Sequence, residues 1–119
     1  MANQISFVEI LAPESRGLGA FYHDAFGWDV YEPAGSMEYR VMNPNGDNGV
    51  MAAIGDPFVG GEAWVCFYVM VDDIDAAIER AVAAGGSVKL PKYATDTGFT
   101  LAYVADPAGH VIGLQQPGA

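Results

Sequence analysis

The 119-residue chain has one cysteine, Cys66, so no internal disulfide can form. Five Lys and Arg stand against fifteen Asp and Glu, a formal charge of −10. That balance argues against nucleic acid as a partner, because phosphates need basic side chains to neutralise them. It argues equally against anionic membrane surfaces. Every apolar run is far shorter than a membrane span. The N-terminus lacks a basic stretch leading into a long apolar one, so no secretory signal is expected and a soluble cytoplasmic protein is the default. There are two histidines, His23 and His110, which leaves few imidazole donors for a transition metal. No Gly-rich phosphate loop opens a helix. Neither Ser15 nor Ser36 has the His and Asp context of a nucleophile triad. Disorder is not expected either, since 51% of the residues are apolar.

What the chain does have is a half written twice. Phe7 to Ile10 opens a segment ending at Gly27, and Cys66 to Val69 opens one ending at Gly86, aligned without a gap. Asn43-Pro44-Asn45-Gly46 is answered by Asp106-Pro107-Ala108-Gly109. Such a repeat governs any assignment of fold. Ile5 to Leu11 reads as a strand by its alternation. Ser15 is placed as a helix N-cap, Leu18, Phe21, Tyr22, Ala25 and Phe26 as an apolar stripe, and Gly27 as the stop. Strands follow at Trp28 to Tyr31, Tyr39 to Met42 and Val50 to Ile54. The second half repeats the order. Trp64 to Val71 is a strand, and Asp72 or Asp73 caps a helix with Ile74, Ala77, Ile78 and Ala81 inward. Strands at Val88 to Leu90, Thr100 to Val104 and Val111 to Gln115 complete it. The expected fold class is α+β: two βαβββ modules whose curved sheets surround a cleft. The expected organisation is a single domain over residues 1–119, with module 1 at about 4–55, a linker at about 56–62 and module 2 at about 63–117. Neither half can bury its helix and sheet alone, so the halves pack together or exchange with another chain as a homodimer.

Several motifs resemble the vicinal oxygen chelate superfamily, the glyoxalase, bleomycin-resistance and dioxygenase fold. They are Phe21 to Trp28 at the first helix end, Val71 to Ala77 followed by Ala84-Gly85-Gly86 at the second helix, and Asp106 to Leu114 at the closing strand. The resemblance covers nearly the whole chain. In metal-dependent members it implies ligands on the first and last strand of each half. Those positions fall here on Phe7, Cys66, Gly113 and Met51, with Val50 or Ala52 in place of Met51 if the register of that strand shifts by one. Phe, Gly and Met offer no hard oxygen or imidazole donor, so no metal and no cofactor is expected. His23 reads as a solvated surface side chain and His110 as a turn-shaping one. Asp72, Asp73 and Asp75 read as helix-capping carboxylates.

Strand parity puts Phe7 and Glu9 on one face, and Cys66, Tyr68 and Met70 on one face. Gly113 and Gln115 share a face of the last strand. With Tyr39 and Met51 these residues are the expected ligand-binding set: apolar and aromatic walls with a few polar points. Gly113 leaves space at the floor, for ligand or for Phe7. Glu9, on so apolar a face, is the candidate general base, against the alternative that it pairs with Arg40 or closes a dimer contact. Cys66 reads as a buried inert thiol. Three functions stay open. One is metal-independent binding of an aromatic or amphipathic small molecule, with drug sequestration as its concrete form and a cationic planar compound as its best match. Another is a metal-free isomerase, lyase or hydroxylase-like enzyme using Glu9, with Tyr68 or Gln115 holding a developing oxyanion. The third is a metal-dependent enzyme with an unrecognised site.

Overall fold

The computed structural model describes residues 2–44, 49–95 and 98–118. The chain folds as two βαβββ modules of class α+β. The first holds β1 (Ile5–Leu11), α1 (Leu18–Phe26), β2 (Asp29–Val30), β3 (Tyr39–Asn43) and β4 (Met51–Gly55). The second holds β5 (Trp64–Met70), α2 (Ile74–Ala83), β6 (Ser87–Ala94), β7 (Phe99–Ala105) and β8 (Val111–Pro117). Two compact units result: Phe7–Val65, and Cys66–Ala119 together with Met1–Ser6.

The sequence repeat is a repeat of topology. In the first unit the strands run in the order β2-β3-β4-β1, with β1 parallel to β4 and the other pairs antiparallel. In the second the order is β6-β7-β8-β5, with β5 parallel to β8 and the rest antiparallel. A parallel pair needs a crossover, and each module's first strand lies beside its last. In the second unit, residues 3 and 4 are fastened to the end of β5. The Met70 N–H donates to the Gln4 carbonyl at 2.9 Å, and the Asn3 amide donates to the Met70 carbonyl at 3.0 Å.

Each helix covers one sheet face. Val71, Ile74, Ala77, Ala102, Val104 and Leu114 form one core, with Ile78 and Ala81 against it, so the stripe expected of α2 is the one that packs. Asp73 caps this helix, its carboxylate accepting the Ala76 N–H at 3.1 Å. Asp73→Ala is expected to cost about 1 kcal/mol of stability in urea denaturation, the usual worth of such a cap.

The first helix departs from expectation. Ile10, Met42, Ala52 and Ile54 make its core, with Leu18, Tyr22, Trp28 and Val30 packed on them. Phe21 and Phe26, expected inward, are 56% and 60% exposed. The buried helical residue is Gly19, where a Cβ would stand 3.0 Å from Val30. A glycine on the inner face lets the helix sit close, and the larger rings project outward beside Tyr22, with Phe21 edge-on to it at 5.2 Å. Ser15 does not cap α1. It lies in a short 3-10 turn, and its N–H and hydroxyl both donate to the Asp56 carboxylate, at 2.9 and 2.8 Å. Those bonds hold the Asp56 carboxyl below its ordinary value. Asp56 is thus tied into the first unit rather than lying loose in a connecting stretch. Gly27 does end the helix, at φ 74°, with its N–H on the His23 carbonyl.

Strand bounds also shift. The second strand shrinks to Asp29–Val30, whereas the strand expected at Val88 to Leu90 runs over Ser87–Ala94. It includes Pro91, which an edge strand tolerates, and its register slips between Leu90 and Tyr93. The Asp106 to Gly109 turn forms as expected, the Gly109 N–H donating to the Asp106 carbonyl at 2.9 Å. Its counterpart reaches Asn45 and Gly46, which lie outside the described residues.

His110 shapes the second turn. Its backbone N–H and ring Nδ1 both reach the Asp106 carboxylate, at 2.9 and 3.0 Å. Led by the His110 N–H, these bonds hold Asp106 below its ordinary 3.8. A lowered folded value means the contribution to stability is present above about pH 4 and lost as pH falls through the folded value. Asp106→Asn should therefore lose stability at neutral pH and approach the wild type as pH drops towards 2. Urea denaturation across that range checks this.

Candidate functional site

Register assigns the sheet faces. In the first unit Phe7 pairs with Met51, Glu9 with Ala53, and Tyr39 with Gly55. Paired residues share a face, and this one is opposite to the face on which α1 packs. Phe7 and Glu9 share one surface, as parity required, and the register brings Tyr39 and Met51 to it. Glu9 is 1% exposed. Its Oε2 accepts the Tyr39 hydroxyl at 2.6 Å, and its Oε1 accepts the Trp64 indole N–H at 3.0 Å. A buried carboxylate requires such donors. Gly55 makes room for Tyr39, since a Cβ there would lie 2.6 Å from the ring. Trp64 stands edge-on to Phe58 at 6.1 Å.

The suspected Glu9–Arg40 pairing does not form. Arg40 reaches Glu38 at 2.6 Å and Glu32 at 3.0 Å. These carboxylates, Glu38 foremost, hold its guanidinium proton more firmly than usual. Trp64 was not singled out from sequence as a partner of Glu9. It lies 55 residues away, and only the folded strands bring them together.

In the second unit Tyr68 pairs with Gly113, Met70 with Gln115, and Tyr103 with Gly113 from the other side. Tyr68, Met70, Gly113 and Gln115 share the face opposite to α2, and Cys66 joins them by alternation. Cys66, Tyr68 and Tyr103 are buried. The two tyrosine rings meet edge-on at 5.6 Å, and their hydroxyls hydrogen-bond to each other. The space expected above Gly113 is filled by Tyr68. A Cβ at 113 would lie 2.6 Å from Tyr68 ring carbons. Gln115 is half-buried, and its Oε1 accepts the Ser6 hydroxyl at 2.8 Å.

The metal implied by the fold family does not fit these residues. Phe7 and Met51 are neighbours without hard donors. Gly113 has no side chain, and the Tyr68 ring blocks one. Cys66 alone leaves one thiol. Among the described residues no three His, Cys, Asp or Glu gather as a cation site. His23 is at the surface, its Nδ1 on the Trp28 carbonyl at 2.9 Å. Asp75 pairs with Lys92 at 2.8 Å.

The repeated βαβββ topology is that of the glyoxalase, bleomycin-resistance and dioxygenase superfamily. Within it, the chain belongs to the Glyoxalase-like domain family, which matches residues 7–114. CFP32 of Mycobacterium tuberculosis, which carries a provisional glyoxylase name, is 29% identical over 119 residues. The match covers 93% of this chain and 44% of that protein, so the chain spans less than half the length of this curated relative. A glyoxylase-like domain-containing protein of Didymella fabae is 33% identical over 92 residues, covering 70% of this chain and 69% of that one. Among solved structures, the methylmalonyl-CoA epimerase from Mycobacterium tuberculosis has a TM-score of 0.69 at 15% identity, over 97% of this chain and 88% of that one. The Mn(II)-bound glyoxalase from Novosphingobium aromaticivorans has a TM-score of 0.66 at 18% identity, over 95% of this chain and 37% of that one. At such identities the likeness is one of fold, and fold does not carry chemistry.

Proposed function

We propose that the chain is a metal-independent small-molecule binding protein of the glyoxalase-like family, taking an aromatic or amphipathic ligand. The observation that carries this reading is the Tyr68 ring standing where a side chain at position 113 would go. The resemblance puts a metal ligand at that position, and here it is a glycine beneath a packed phenol ring. The helix-free face of each unit is apolar and aromatic with few polar groups, which suits ligand binding. Drug sequestration is one concrete form of that role, and assembly as a homodimer goes with it.

The metal-free enzyme reading ranks second. A general base must reach the proton it abstracts. Glu9 is 1% exposed and both its oxygens are hydrogen-bonded. The same bonds would orient the carboxylate if a substrate displaced one donor. Titration of 15N-labelled protein with small aromatic compounds separates the readings. Binding without turnover predicts saturable shifts at Phe7, Met51, Met70 or Gln115 and recovery of the compound unchanged. Consumption of the compound, abolished by Glu9→Gln, favours the enzyme. Absence of any saturable shift overturns the binding reading.

A further inference from the structure

Gln115 projects from β8 on the face opposite to α2, flanked by Met70 of β5 and Leu101 of β7 in register. Two residues back on the same strand lies Gly113 under the Tyr68 ring. The surroundings of Gln115 on this face are therefore apolar and aromatic. Its carboxamide has two ends of opposite character: an oxygen that accepts and an NH2 that donates twice. The Ser6 hydroxyl donates to the oxygen at 2.8 Å. With the oxygen engaged, the NH2 end is the one left to face outward. It has no hydrogen-bond partner among the described residues, and no buried side-chain nitrogen or oxygen among them lacks one, so this nitrogen reaches solvent.

We infer that the Gln115 NH2 is the polar recognition point of this face and that Ser6 is its positioning residue. The inference rests on the binding reading above and names its ligand class: a neutral carbonyl compound with an apolar or aromatic body. A donor in an apolar setting selects a ligand oxygen, because a ligand lacking it leaves the donor's hydrogen bond with water lost and unreplaced. The neutral form is preferred to a carboxylate because the chain carries a formal charge of −10. Ser6 supplies specificity without touching the ligand. Without its hydroxyl the carboxamide can turn over and present oxygen, which repels a carbonyl.

Acetophenone and α-methylstyrene test this. They have the same shape, and only the first has an acceptor oxygen. Affinities are read from shift titrations of 15N-labelled protein, with the Gln115 side-chain NH2 pair as the reporter. The wild type is expected to prefer acetophenone by about 5-fold, the net worth of one hydrogen bond, and to shift the Gln115 NH2 pair on binding it. Gln115→Met should erase the preference, bringing the ratio of the two affinities to about 1. Ser6→Ala should reduce the preference, and Ser6→Thr, which retains the hydroxyl, should restore it. A role for Ser6 in folding alone would not move the ratio between two isosteric probes. Equal affinity of the wild type for both probes overturns this inference and leaves the binding reading standing. So does a preference that survives Gln115→Met, or one unchanged in Ser6→Ala. Failure of both probes to bind overturns the inference together with the reading beneath it.

Discussion

Tyr68→Ala is expected to destabilise the protein by about 3–5 kcal/mol in urea denaturation, the range for deleting a buried aromatic side chain. The ring is 3% exposed, packs edge-on against Tyr103 and covers Gly113. Its removal also takes away the hydroxyl bonded to Tyr103, inside a buried region. The more telling result is the coupling. Gly113→Ala alone drives a methyl into the Tyr68 ring and should cost about 1–3 kcal/mol as overpacking. In the Tyr68→Ala background the same change should cost close to nothing, because the clashing atoms are gone. A double-mutant cycle reads that difference directly. Additive losses would mean that Tyr68 does not occupy the position a side chain at 113 needs.

Glu9→Ala is expected to cost about 3–6 kcal/mol. Hydrogen bonds to a charged group are worth about 1.5–3 kcal/mol each, and two donors lose their shared acceptor here. Glu9→Gln keeps the shape and one acceptor oxygen, so its loss should be about 1 kcal/mol. The Trp64 indole N–H gives the experiment a second readout, since its environment changes with the acceptor. Trp28 is the other tryptophan of the chain. A difference in fluorescence spectra between wild type and Glu9→Ala, absent in a Trp64→Phe background, assigns the change to Trp64. Equal stability of all three Glu9 forms would show that the carboxylate holds nothing together.

Much of this arrangement was legible in the chain, for local reasons. Glycine stops, proline turns and the apolar stripe of Ile74, Ala77, Ile78 and Ala81 act within a few residues. Alternation alone placed Phe7 with Glu9, and Tyr68 with Met70, on their faces. Other features depend on register, which one strand does not carry. That Tyr68 fills the space at Gly113 follows from the Tyr68–Gly113 pairing of β5 with β8. That Glu9 meets Tyr39 and Trp64, at separations of 30 and 55 residues, follows from which strands lie together. The inner face of α1 was misread because Gly19 contributes no hydrophobicity to a stripe, yet its lack of a side chain sets the helix's approach. Ser15 had the residue type of a cap. The Asp56 carboxylate, 41 residues on, took both of its donors.

The superfamily's metal chemistry needs several hard donors held in one place, and here the β8 position is glycine under a phenol ring. Elemental analysis of the protein, purified without chelator and then equilibrated with Mn2+, Ni2+, Fe2+ or Zn2+ before desalting, tests that replacement most directly. Metal far below one ion per chain is predicted for every cation. One transition ion retained per chain, with stability rising on its addition, would contradict the account.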